Sequence, residues 1–473
     1  MADLVIITPH LKTHLGGCGK YSCQLAATII SKYSNHRSIV IEVNFDDGIT
    51  ADSLVACVQD DLGFNDPIFG FSLLISSSAA DYLFISRELK RRGYKTFIAG
   101  AEIDYVYLPE VGHRTHEHRF QGNTTEFDFL FEGPAEHIIP VLDDIQDCKE
   151  YAGRPGVTTV RDSEVIRGNQ PQYCIEKLVE VDWGNLLILG EDLNKREIQS
   201  GVVLAQRGCP YGSQSKLLAI DPPIGIDLPP YEIQTKGCSF CHYGGPLTIP
   251  LEHVLSQIRN IPLSNGRRNF YLSHQNPFPL LPKLIEQAED IGTIHLMSLP
   301  GFIRNHADRV RSTIIQAQKK RIILDLSCIG FESFTPNVLR NLNKNTSVEQ
   351  NMREIEIMID LEDNFRNFNI TPGCHGLIVP TPWHTSDDLA KEFALLKEND
   401  RLKRTYGGAI FCRQLRITHT GGLSNWIRFV EENAGVNYKR NSFGQIEWHT
   451  DAAETWPFEY SRKNKTDVVV TDD

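Results

Sequence analysis

The chain of 473 residues is 41% hydrophobic and 23% charged, proportions that allow a packed core and exclude wholesale disorder. At roughly 150 residues per domain, the length gives about three structural units, or two with sizeable connections. Lys and Arg number 48 against 60 Asp and Glu, and the net charge of −12 offers no global field for polyanions, so no nucleic-acid partner is expected.

The amino terminus, Met1-Ala2-Asp3, lacks the basic start and long apolar stretch of a secretory signal. No apolar run approaches the roughly 18 residues of a membrane helix. A soluble, cytoplasmic protein with no membrane partner is the expectation. The 11 cysteines are scattered without a repeated framework, in a chain long enough to need no disulfide staples. They are better sought in cores or on metal.

Taken in chain order, residues 4–7, 38–43, 69–75, 95–99 and 127–131 read as strands, and residues 23–32, 51–62 and 80–92 as helices. Strand, helix, strand at these spacings means parallel pairing with right-handed crossovers, hence a doubly wound domain over residues 1–141. Such sheets bind ligands at the carboxyl ends of their strands. Residues 142–230 read as an irregular linker or insertion, with residues 186–189 as an isolated strand within it. Four prolines within 221–230 exclude helix and central strand there.

Alternation resumes at Tyr231. Strands are expected at 231–234, 269–272, 294–297, 322–326, 376–379 and 409–412, with helices between them. Leu251, Val254, Leu255 and Ile258 share one helical face. Thr335 with Pro336 starts another helix, and Ser347 with Gln350 fits a capping box. Six strand–helix units over residues 231–423 fit a partial (β/α)6 barrel of the TIM kind, with chemistry at strand carboxyl ends. Residues 424–473 read as an extension ending in a polar tail.

The most informative segment carries Cys238 and Cys241 on a glycine-flanked loop behind residues 231–234. Thiolates at Cys-x-x-Cys spacing can grip one metal centre. A zinc knuckle needs a second such pair, which the chain lacks, and a thioredoxin-like pair should open a helix. Two incidental core cysteines are the plain alternative.

Residues 235–241, ending Cys238-Ser239-Phe240-Cys241, resemble the cluster loop of radical S-adenosylmethionine (SAM) enzymes. Residues 327–334 with 338–344 are similar to that family's fourth strand and following helix, and residues 376–380 with 385–389 to its fifth strand and helix cap. The order and separation of the three segments also match, over about 200 residues. The resemblance implies a 4Fe-4S cluster on Cys238 and Cys241, with Phe240, Glu332, Ser333 and Gly376 around SAM. A doubly wound domain ahead of such a barrel resembles the cobalamin-binding group of these enzymes. Residues 70–74, 97–101 and 131–136 resemble strand ends that cradle the corrin, which implicates Ser72 and Gly100. Of the Asp-x-His-x-x-Gly signature for an axial histidine only His14 and Gly17 are present, with Lys12 where Asp would orient the ring.

The chain departs from the family in one respect. The usual first cluster ligand lies four positions before Cys238, and Gln234 stands there. Three arrangements remain open: Cys209 as third ligand across a long insertion, His242 in its place, or no cluster. The last would leave a corrinoid- or ligand-binding module without radical chemistry. If the cluster forms, the resemblance implies a 5′-deoxyadenosyl radical acting on a small-molecule substrate. It also implies a one-electron donor such as a flavodoxin or ferredoxin, and methyl transfer if cobalamin is held. His113, His116 and His118 read as a solvated loop, and Cys18 and Cys23 as core packing. Thr381 to His384 reads either as the substrate mouth or as strand-end packing.

Overall fold

The computed structural model describes the chain apart from residues 11–18, 73–78, 101–126, 162–163, 173–179, 191, 214, 242–244, 373–374, 407–409, 414, 418–421, 437, 439–445, 448–459, 465–466 and 471–473. The chain forms two compact units: Met1–Val202 with Asn260–Asn265, and Val203–Arg259 with the chain from Gly266 onward.

In the first unit, strands β1 (Asp3–Pro9), β2 (Arg37–Val43), β3 (Pro67–Ser72), β4 (Thr96–Ala99) and β5 (Phe129–Phe131) are parallel neighbours in the order β2-β1-β3-β4-β5. That is the flavodoxin-like winding, whose order reverses between β1 and β3. Both faces of such a sheet are covered, so its strands read as near-continuous apolar runs. All seven residues of β1 and all six of β3 are buried accordingly. Helices Tyr21–Tyr33, Ala51–Leu62 and Ala79–Arg91 fall within two residues of their expected bounds. Thr50 and Ser53 close a capping box on the second.

Residues 142–230 are not an irregular linker. Strands β6 (Val157–Arg161) and β7 (Glu164–Arg167) extend one edge of the first sheet, antiparallel. β8 (Leu186–Leu189), parallel to β2, and antiparallel β9 (Leu193–Lys195) extend the other. Strands of three to five residues are too short to show a period, which is why the pattern hid β6, β7 and β9, whereas the unbroken apolar run of β8 stood out.

The second unit is built on β10 (Gly201–Leu204), whose last two residues belong to it. After it come β11 (Gln206–Arg207), β12 (Ser215–Ile220), β13 (Tyr231–Lys236) and β14 (Leu247–Thr248), then β15 (Arg268–Ser273), β16 (Ile291–Ser298), β17 (Ile323–Ile329) and β18 (Phe368–Ile370). The order β10-β15-β16-β17-β18 makes a five-stranded sheet, parallel from β15 to β18. A parallel bridge from Glu332 to Leu377 carries the wall on to β19 (Leu377–Ile378), which pairs parallel with β20 (Ile410–Arg413). The expected partial barrel is therefore present, but its first strand is β10 and not residues 231–234. Those lie in β13, which among the described residues pairs only with β12, in an antiparallel hairpin. The sequence of β13 carried the warning: Tyr231, Ile233 and Thr235 alternate with Glu232, Gln234 and Lys236, the pattern of a strand with one wet face.

No helix among the described residues is long and apolar enough to cross a membrane.

Candidate functional site

Two short ladders shape the loop that leaves β10. β11 pairs with β14, Gln206 opposite Thr248, and closes its neck. β12 pairs with β13, Ser215 opposite Lys236 through Ile220 opposite Tyr231, and closes its far part. Cys209 lies between the ladders on the outgoing strand, and Cys238 and Cys241 lie between them on the return. Cys209 and Cys238, 29 positions apart, are thereby brought onto the two legs of one loop. Gln234 lies opposite Leu217 in the hairpin and is exposed.

The turn into Cys238 is made by Gly237 at φ +80°, where a Cβ would meet the Tyr211 backbone at 3.3 Å. The Gly212 amide donates to the Cys209 carbonyl (2.9 Å) and the Cys241 amide to that of Cys238 (3.1 Å). Ser239 straps the loop to the segment behind helix Pro336–Asn341: its amide donates to the Leu342 carbonyl (3.1 Å) and its hydroxyl to that of Asn341 (2.7 Å). The Asn343 side chain donates to the Gly237 carbonyl. Phe240 packs on an apolar cluster that includes Ile220, Ile233, Trp383 and Trp426.

That strap delivers Lys344. Its ammonium stands 3.3 Å from Glu332 Oε1, with only 8% of the side chain exposed. Burial alone would lower its pKa, but the charges of Glu332 and Cys238 outweigh burial and raise it, so the lysine stays cationic. Burial pushes the Cys238 thiol up to about 11; Lys344 works against the rise, while Glu332, Cys241 and Cys209 add to it. Those couplings place both other thiols within electrostatic reach of Cys238. Among the described residues no three His, Cys, Asp or Glu side chains close on a single metal ion. A cluster asks for less, because each thiolate takes a different iron and the sulfurs stand about 6 to 7 Å apart.

Glu332 holds a left-handed backbone (φ +67°) at the end of β17, its amide donating to the Gly376 carbonyl at 2.9 Å. Its carboxylate lies against two glycines. A Cβ on Gly330 would come within 2.3 Å of Oε1, and one on Gly376 within 3.3 Å of Oε2. Ser333 is different. It is fully buried, its hydroxyl donating to Glu392 Oε2 (3.1 Å) and accepting from the Thr335 amide (3.0 Å). Glu392 also accepts from Thr335 Oγ1 at 2.9 Å and is bonded to His384 Nε2 at 3.0 Å. The Thr335 hydroxyl is thus turned away from the cap expected of it, and Thr381 to His384 is core packing, with Trp383 fully buried.

In the first unit, Ser72 pairs with Ala99 and Ala99 with Phe131, so the carboxyl ends of β3, β4 and β5 are level. Ser72 is buried, and Gly100 follows β4 at φ +139°. Cys23 is buried, as a core residue should be. Sequence reasoning missed a charged group along the same edge. Glu42, at 3% side-chain exposure, meets His10 Nδ1 at 3.1 Å and Lys20 Nζ at 3.0 Å, with Arg196 Nε 3.8 Å away. Glu42 Oε2 and Arg196 Nε are buried with no hydrogen-bond partner among the described residues. A glutamate in the otherwise apolar run 39–43 was the available signal, since a buried carboxylate needs partners. Lys344 was missed because a lysine behind a helix usually reads as solvated. His14, His242, His113, His116, His118 and Cys18 lie outside the described residues.

The succession of a flavodoxin-like sheet and a parallel-stranded barrel wall is similar in fold to solved structures described as cobalamin-dependent or radical SAM enzymes. Two solved structures give the measure of the likeness. OxsB, a cobalamin-dependent SAM radical enzyme with aqua-cobalamin and SAM bound, is 13% identical at a TM-score of 0.62 over 95% of this chain and 64% of its own. TsrM from Kitasatospora setae, a radical SAM methyltransferase with cobalamin and a 4Fe-4S cluster bound, is 12% identical at 0.59 over 92% and 76%. The chain thus spans less than two thirds of OxsB. No family model matches the sequence, and no curated protein does.

Proposed function

We propose that the second unit holds a 4Fe-4S cluster on Cys209, Cys238 and Cys241 and binds SAM beside Glu332, Gly376 and Lys344, and that the carboxyl edge of the first sheet takes cobalamin. The donor set fits: three thiols on one loop, and a buried ammonium to offset their charge. When bound, these groups supply one-electron cleavage of a SAM carbon–sulfur bond, hydrogen abstraction from an unactivated carbon, and methyl carriage. The protein's part is placement. Gly330 and Gly376 leave the Glu332 carboxylate approachable for a ribose hydroxyl, and Phe240 presents an apolar surface next to the loop. Ser333, committed to Glu392, is left out of the ribose contacts. On the first sheet, Glu42 Oε2 and Arg196 Nε, without hydrogen-bond partners among the described residues, suit a ligand with a polar rim. A small-molecule substrate and an external one-electron donor complete the reading.

The observation that carries it is the closure of β12 on β13, which brings Cys209 to Cys238. Anaerobic reconstitution tests it by iron and sulfide counts and the visible spectrum. Cys209→Ala should lose most of the bound iron, whereas Gln234→Ala, on the exposed face of the hairpin, should keep it. Full iron in Cys209→Ala would exclude the proposed ligand set. SAM consumption by protein that binds no corrinoid would remove the methyl-transfer step.

A further inference from the structure

Strands β15, β16 and β17 sort their side chains strictly. Phe270, Leu272, Ile294, Leu296, Leu324 and Leu326 are at most 1% exposed, and helix Ala307–Lys319 packs on β17. The alternate positions face the other way, as the two-residue period of a strand requires. Tyr271 pairs with His295, His295 with Asp325, and Asp325 with Asn369, so one polar row crosses four strands. The Tyr271 and His295 rings stack at 4.2 Å, 15° from parallel. His295 Nδ1 stands 2.6 Å from Asp325 Oδ2, and Thr371 Oγ1 donates to Asp325 Oδ1 at 2.6 Å. Ser327 Oγ is a longer third neighbour at 3.4 Å.

These bonds fix a proton. Burial pushes the Asp325 carboxyl up, but the hydrogen bonds of His295, Thr371 and Ser327 outweigh it and hold the group below the usual carboxylate range. An ionised carboxylate only accepts, so His295 must donate from Nδ1, and in the neutral ring Nε2 carries the bare lone pair. Nε2 has no partner among the described residues, and the His295 side chain is 20% exposed. An imidazole oriented by a carboxylate, its far nitrogen open, is the arrangement of a general base.

We infer that His295 and Asp325 form a proton-transfer dyad on the inner face of the barrel wall, serving a small substrate with a weakly acidic hydroxyl, amine or ring N–H. The substrate's X–H bond breaks and its electron pair stays on X. The proton joins the Nε2 lone pair, and the imidazolium is held by the Asp325 carboxylate. Asp325 is the positioning residue, fixing tautomer and ring plane.

This assignment rests on reading the second unit as a substrate barrel, but its test needs neither iron nor SAM. Nitrogen NMR of the ¹⁵N-histidine-labelled full chain should show His295 as the Nδ1–H tautomer. Diethyl pyrocarbonate, an electrophile that takes the imidazole lone pair, should label His295 in the folded chain, as mapped by mass spectrometry. Asp325→Asn, whose amide can donate as well as accept, should lose the tautomer preference and slow labelling about tenfold. An Nε2–H tautomer in the parent chain, or a His295 that resists the reagent, would overturn the dyad. Cys209→Ala should leave tautomer and labelling unchanged even where it abolishes iron binding, so the two proposals fail separately.

Discussion

A lysine ammonium can be kept in the interior only beside an anion, and Lys344 has the Glu332 carboxylate 3.3 Å away. Removing it should do more than remove a contact, because the Glu332 carboxylate would be left in a half-buried site uncompensated. Lys344→Met should therefore cost about 3 kcal/mol of stability, read by denaturant titration of the iron-free chain. Adding Glu332→Gln to that variant should recover more than half of the loss. Equal loss in single and double variants would mean that the two charges are uncoupled. The motif around these residues was legible, since residues 327–344 resemble a known pattern. The partnership was not, because it depends on the Asn341–Asn343 strap folding back onto the cysteine loop.

At the level of elements, the loop's two ladders place its thiols only if the turn between β13 and Cys238 is tight. Gly237 makes that turn at φ +80°, a conformation that costs a residue with a Cβ roughly 1–2 kcal/mol. Gly237→Ala also sets its methyl 3.3 Å from the Tyr211 backbone, which cannot swing aside as a side chain would. The variant should fold but retain less iron against a chelator than the parent, measured as the half-time of loss. Parent-like retention would show that the turn does not set ligand placement. Periodicity read most elements well where the strands are long and doubly covered, as in β1, β2 and β16. It failed at β10, four residues without a visible period, and at β18, three residues broken off before β19. Residues 231–234 are a strand as expected, but the alternation of Glu232, Gln234 and Lys236 marks a wet face, and β13 stands in the hairpin with β12 and not in the barrel sheet.

For the molecule as a whole, the buried thiol links folding to alkaline pH. In the folded, iron-free chain Cys238 holds its proton up to about 11, against an ordinary value of 9.0. Between these the unfolded chain binds fewer protons, so stability falls as pH rises from 9 towards 11, by about 2–3 kcal/mol. Lys344, whose pKa is also raised, acts in the same direction as pH rises beyond its ordinary value of 10.5. Denaturant midpoints of the iron-free protein should drop across that window and flatten in Cys238→Ser. A flat profile in the parent would contradict the burial of the thiol. Both sheets and their order of succession were legible, but the division between them was not. Chain composition marks the prolines at 222–230, whereas the units part at Val202, inside a strand.

The hairpin of β12 and β13 separates contour from distance. Its two legs leave and return at neighbouring points, so the 20 residues between Ser215 and Lys236 add nothing to the gap that the sulfurs must bridge. A recogniser that counts positions along the polypeptide would find a ligand missing, whereas an iron atom would register only where the sulfurs end up. Related chains could lengthen or trim that excursion, provided its base stays paired, without disturbing the chemistry.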